Sequence, residues 1–425
     1  MHTKWLLTLV VGSVGISGCA INPEPPSAGT GGSSVATGGS STAGAASGGT
    51  VSGGTASGGS STAGTASGGT ASSGIAGSGT AGAGGGAAGG GMAGAGGGGG
   101  GVSAGGSSGA GGGGGTGPGG AAVPSKGCGN MTGKTTLTTG GMSVANGLPT
   151  STRLKIMSGG SSREYIIDIP ADYDPSHPYR LVFSWHQAYG SDTGNAIGQT
   201  PAFSGPNFDA SHYAYYGLRR EATAANQPTI FVAPEGIGNL PWDYKRDVAL
   251  FDDLLALIDT NLCIDDSRVF STGFSFGAMM SYALSITRQT KLRAVVAMAP
   301  ANYNLPNEPM DSNAAPIAYM GTTGMSDGTC PWVNSDASKQ GGKYCALTHA
   351  EDNGCTIPAT IQTTTMGSKK YVCVDFEGCK AGYPVKVCTF DGAHTPASVD
   401  DGSSTGDDGS KAFIPPMAWK FISQF

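Results

Sequence analysis

Charge is scarce in this chain. Asp, Glu, Lys and Arg make up 12% of 425 residues and aromatic residues only 8%. The 23 basic residues are outnumbered by 29 acidic ones, and they form no stripe. That excludes the electrostatic footprint with which proteins neutralise nucleic-acid phosphates, so no nucleic-acid partner is expected. Histidine is rarer still, at six, and no His/Cys cluster has the spacing of a metal site. Neither a metal nor another cofactor is expected. From Ser27 to Ala122 charge and aromaticity vanish altogether, leaving mostly Gly, Ser, Ala and Thr in repeats such as Ser61–Gly69. Nothing there offsets the entropy of ordering, so no secondary structure is expected over 20–122. A flexible coil of that kind spans roughly 50–60 Å end to end.

Long hydrophobic runs are missing too. The one apolar segment near the start, Trp5 to Ile16, is too short for a comfortable membrane span. With Lys4 before it, residues 1–19 read instead as an export signal. Its end, Ile16-Ser17-Gly18-Cys19, resembles a bacterial lipoprotein cleavage box. That resemblance implies lipidation of Cys19 and, with Ala20 next, sorting to an outer membrane or cell surface. The lipid would be the chain's only membrane contact, and 20–122 a tether that lets the remainder reach outward.

Residues 123–425 are long enough to bury a substantial core. Strand candidates at 164–169, 180–185, 229–233, 268–272, 293–298, 316–320 and 384–389 alternate with helical patterns at 247–260, 276–287 and 416–424. Alternation of that kind predicts an α/β fold, a mostly parallel sheet with helices on both faces.

The most telling motif is Gly273-Phe274-Ser275-Phe276-Gly277. It lies between the apolar run Arg268–Thr272 and the helical Ala278–Leu284. Strand, G-x-S-x-G and helix make a nucleophile elbow, which lifts a serine hydroxyl above the edge of a sheet. In that arrangement an acid and then a histidine follow the serine along the chain. His349 and His394 lie downstream. His394 follows a strand on a glycine-containing loop, where a base is expected, whereas Ala346–Glu351 reads as a polar helix surface. Asp327 is on the loop leaving the strand 316–320, with Asp336, Asp352 and Asp391 as rivals. Asp391 reads as a cap for the turn carrying His394. Such a set would let Ser275 attack an acyl carbonyl while His394 moves the proton and Asp327 orients the imidazole. The backbone N–H of Phe276 is the expected first donor to the oxyanion, with Gln187 or Ala188 as the second. His186 reads as a brace for that turn.

Several stretches resemble feruloyl esterases of carbohydrate esterase family 1, a branch similar to polyhydroxybutyrate depolymerases. They include Arg163–Asp174, Tyr179–His186, Phe231–Gly236, Asn261–Asp265, the elbow, Gly378–Val385 and Phe390–Pro396. The resemblance covers nearly all of 127–425, in order. It implies an α/β-hydrolase fold, a Ser-His-Asp triad at Ser275, His394 and Asp327, and secreted action on feruloyl esters of plant cell-wall polysaccharide. An acetylxylan esterase, a polyhydroxyalkanoate depolymerase and a surface carbohydrate-binding lipoprotein are the alternatives. Gln187 departs from the pattern, because the family usually has glycine after that histidine.

Eight cysteines remain after Cys19, an even number that suits disulfides in an exported domain. The resemblance favours Cys128–Cys263. A second bridge, Cys330–Cys345, is expected to close the loop beside Asp327, while pairing among Cys355, Cys373, Cys379 and Cys388 stays open. Trp185, Tyr189 and Trp242 are candidate substrate contacts.

Overall fold

A computed structural model describes residues 120–144, 150–198, 213–303, 315–333, 340–398 and 412–425. The leader, Cys19, nearly all of the Gly/Ser-rich tract and Asp336 lie outside the described residues.

Ten strands form one sheet. They are β1 Met142–Ser143, β2 Ser151–Ser158, β3 Ser161–Asp168, β4 Tyr179–Trp185, β5 Thr229–Pro234, β6 Ile264–Phe274, β7 Ala294–Met298, β8 Ala318–Gly324, β9 Tyr371–Asp375 and β10 Val385–Phe390. Their spatial order is β1-β2-β3-β5-β4-β6-β7-β8-β10-β9. The six strands from β5 to β10 in that order run parallel, while β1, β2, β3 and β9 pair antiparallel at the two sides. In such a sheet the loops leaving the strand ends converge on one rim, where a site can be assembled.

Central strands are apolar on both faces because both are covered. Leu181 and Phe183 belong to one buried cluster and Val182 between them to the other, as a side-chain period of two requires. Helices Tyr244–Asn261, Phe276–Thr287 and Gly342–Asp352 supply Phe251, Leu254, Tyr282 and Ala346 to the first cluster. Leu218–Ala224 and Ile414–Ser423 supply Leu218, Ala418, Trp419 and Phe421 to the second. Truncating one such side chain, Leu254→Ala for example, is expected to cost about 2–5 kcal/mol. The 244–261 helix begins where Asp243 accepts hydrogen bonds from the N–H groups of Lys245 and Arg246, a side-chain N-cap.

All seven expected strands are present within a few residues, and the antiparallel β1, β2 and β9 are additional. β2 has an irregular burial pattern and β9 buries none of its residues fully, so neither shows the apolar run that marks a central strand.

The cysteine pairing is partly as expected. Cys128–Cys263 is bonded, and Cys355–Cys379 and Cys373–Cys388 complete the bridges. Cys330 and Cys345 correct the expectation, since both are buried thiols rather than a bridge. Cys345 packs in the first cluster and Cys330 in the second, so each thiol sits in a different half of the core. Three disulfides fit a chain that matures in an oxidising compartment.

Candidate active site

Ser275 stands between β6 and the helix 276–287 with φ 55° and ψ −119°. A left-handed φ at a residue with a side chain costs of order 1–3 kcal/mol and persists only where surroundings enforce it. The two flanking glycines show what enforces it here. A Cβ on Gly273 would fall 2.3 Å from the Gly277 carbonyl oxygen, and one on Gly277 would fall 1.9 Å from the Trp185 carbonyl oxygen. The elbow is therefore pressed both on itself and against the end of β4.

His394 arrives from the loop after β10. Its Nε2 lies 2.8 Å from Ser275 Oγ and its Nδ1 2.7 Å from Asp327 Oδ2. The imidazole rests on the Phe274 ring, centroids 4.6 Å apart, which limits its rotation. Asp327, on the turn after β8, is buried, and its Oδ1 accepts the N–H groups of Thr329 and Cys330 at 2.8 and 2.7 Å. One carboxylate oxygen is thus held by backbone while the other faces the imidazole. The two loops lock together, because a Cβ on Gly324 would meet the carbonyls of Gly392 and Ala393, and Ser326 N–H donates to Gly392.

The turn after β4 runs alongside. His186 is buried. Its Nδ1–H donates to the Gln187 carbonyl at 2.8 Å and its Nε2 accepts the Gly236 N–H at 3.0 Å, a pattern that fixes a neutral tautomer. Burial holds its pKa below the usual range. The Gln187 carbonyl also accepts Gly190 N–H at 3.0 Å. With that carbonyl engaged on one side, the antiparallel Ala188 N–H of the same peptide unit faces the other way. The Gln187 side chain accepts the Tyr216 hydroxyl at 3.2 Å through Oε1, and its buried Nε2 has no partner.

Three expectations need correction. Trp185 and Trp242 are buried, not exposed to a substrate. Trp185 Nε1–H donates to Ser271, Trp242 Nε1–H donates to the His186 carbonyl, and the two indoles meet edge-to-face at 5.0 Å. They are the floor of the turn. Of the three aromatic residues expected at the rim, Tyr189 is exposed. His349 is fully buried rather than on a helix surface. Asp391 caps a different turn, accepting the N–H groups of Gly367 and Lys369.

Reading by sequence also missed the acidic and basic network behind the turn. Arg163 donates to Asp247 at 2.6 Å and to the Glu235 carbonyl at 2.9 Å, and Glu235 accepts the Asp192 N–H at 2.6 Å. Desolvation pushes the Glu235 carboxyl up to about 8. Charged residues scattered over 84 positions of sequence leave no local signal of such a network.

The arrangement can do nucleophilic acyl chemistry: an oxygen nucleophile, a base in contact with it, and a carboxylate to orient the base. A family of phospholipases and carboxylesterases matches residues 247–356, the segment that holds the elbow and Asp327. Feruloyl esterase D of Neurospora crassa is 31% identical over 72% of this chain and 92% of its own length. A probable feruloyl esterase C of Aspergillus clavatus and feruloyl esterase C of Emericella nidulans are each 34% identical over 62% of this chain and 84% of theirs. This chain belongs to the feruloyl esterase family and is a carboxylic ester hydrolase of the α/β-hydrolase fold.

Proposed function

We propose that the chain is an exported serine esterase of carbohydrate esterase family 1 that releases ferulate or related hydroxycinnamates from plant cell-wall polysaccharide. The observation that carries this reading is the unbroken hydrogen-bonded series Ser275, His394, Asp327, in a chain whose relatives are feruloyl esterases. Ser275 Oγ attacks the ester carbonyl carbon as His394 Nε2 takes its proton. The oxyanion receives the Phe276 N–H and an N–H of the turn at Gln187 and Ala188, each donor typically worth about 2.7–4 kcal/mol of barrier. Collapse breaks the bond to the sugar oxygen, which leaves with the proton from His394. A water, deprotonated by the same imidazole, then attacks the acyl-serine and frees the acid. Asp327 keeps the Nδ1–H pointed inward and offsets the imidazolium charge.

The leader and Cys19 would place this domain on an outer membrane or cell surface, at the end of the 20–122 tether. The substrate reading is tested by offering methyl ferulate, acetylated xylan and a hydroxybutyrate polymer to the purified protein. Turnover of methyl ferulate, abolished by Ser275→Ala, is expected. Methyl ferulate left intact while either other ester is cleaved would overturn the substrate class.

A further inference from the structure

Tyr189 is the third residue after the turn histidine, and its position is unusual on three counts. The residue is 63% exposed. Its backbone is left-handed, φ 59°, where a glycine would sit without strain. Its N–H donates to the Asn239 carbonyl at 2.9 Å, which clips the turn after β4 to the loop after β5. The same two loops are joined again where Gly236 N–H meets His186 Nε2, so the ring is carried on a doubly fastened support. That second loop exposes two more apolar side chains, Ile237 at 45% and Leu240 at 43%. The support reaches the elbow directly, because Gly277 packs on the carbonyls of Trp185 and His186.

We propose that Tyr189, together with Leu240 and Ile237 exposed on the loop to which it is clipped, is a stacking ledge for the carbohydrate chain that bears the ester; the inference rests on the esterase reading above. An acyl group held for chemistry needs a site that excludes water, which a residue this exposed does not provide. A sugar chain needs the opposite. Its hydroxyls stay in water while a face of C–H bonds sheds it, and an exposed amphipathic ring on a rigid base suits that face. The buried Trp185 and Trp242 offer no such surface.

The test compares kcat/KM for a feruloylated arabinoxylan oligosaccharide with that for methyl ferulate, in the full-length chain. Tyr189→Asn removes the ring while tolerating the left-handed backbone. It is expected to lower the oligosaccharide-to-methyl-ester ratio about tenfold, through KM, which corresponds to ~1.4 kcal/mol. Tyr189→Phe is expected to hold the ratio. An unchanged ratio in Tyr189→Asn, or an equal loss on both esters, overturns the ledge. Failure of the esterase reading looks different: Ser275→Ala would still turn over both esters, or the native chain neither. Affinity electrophoresis through ester-free arabinoxylan supplies a readout independent of turnover. Ser275→Ala protein should be retarded and lose that retardation when Tyr189→Asn is added; equal mobility of the two overturns the proposal.

Discussion

Among the described residues, two Ser···His pairs have nearly the same length and very different surroundings. Ser275 Oγ and His394 Nε2 are 2.8 Å apart, and Ser285 Oγ and His349 Nε2 are 2.9 Å apart. Around His394 the second nitrogen faces the Asp327 carboxylate, and the ring stays partly open to solvent at 23%. His349 instead stacks on Tyr319 at 4.3 Å, meets Tyr282 edge-on at 5.6 Å, and leaves its buried Nδ1 without a partner. Burial pushes its pKa down to about 3, because no carboxylate repays the desolvation of an imidazolium. A serine touching a histidine is therefore not a nucleophile in itself. What separates the pairs is the third partner and the route to solvent.

The largest expected effect breaks the symmetry outright. Ser275→Ala should reduce kcat on a chromogenic ester by roughly 10⁵–10⁶, while Ser285→Ala keeps activity and loses only stability. Equal losses in the two variants would erase the distinction. Next, Asp327→Asn removes the third partner from the Ser275–His394 pair, and a fall in kcat of about 10⁴ is expected as the imidazole loses its tautomer and its counter-charge. Retained activity there would mean that another carboxylate orients His394.

The buried pair predicts a pH effect on stability. His349 has a folded pKa of about 3 against an ordinary value near 6.5, so below pH 6.5 the unfolded chain takes up a proton that the folded chain refuses. Its contribution is full above that value and shrinks as pH falls toward 3, by up to ~5 kcal/mol. Urea midpoints at pH 7, 5 and 4 should fall steeply in the native chain and less in His349→Gln; parallel declines would assign the acid limb elsewhere. The smallest effect uses Cys345, which packs in the same cluster as Tyr282 and Tyr319 and whose thiol pKa burial pushes up. Without reductant, iodoacetamide should leave Cys345 unlabelled in folded protein and label it on unfolding, as read by peptide mass mapping. Prompt labelling of folded protein would show that this part of the core opens readily.

How much could be read beforehand divides along the same physical line. The elbow was legible because its constraints are local: a strand, two glycines and a helix within about 20 residues. His394 and Asp327 were legible as loop residues following apolar strands, since a parallel sheet delivers successive loops to one rim. Trp185, Trp242, His349 and the Cys330–Cys345 pair were misread, and for a common reason. Burial of an individual side chain depends on what packs over it. A helix of mean polarity such as Gly342–Asp352 still turns one side inward, where Cys345, Ala346 and His349 lie buried. The glutamine in place of glycine at position 187 likewise became intelligible only beside Tyr216, which is 29 residues away.

The sequence by itself determined that a parallel α/β core would follow a long uncharged tract, and that a serine would stand on a sharp turn between strand and helix. Periodicity and glycine placement act over a few residues, so they can be read one segment at a time. Only the tertiary structure decided which histidine meets that serine and a carboxylate, which aromatic rings face water, and which cysteines join. Those outcomes depend on distances between segments up to 135 residues apart, as between Cys128 and Cys263, and such distances exist only once the sheet has ordered its strands.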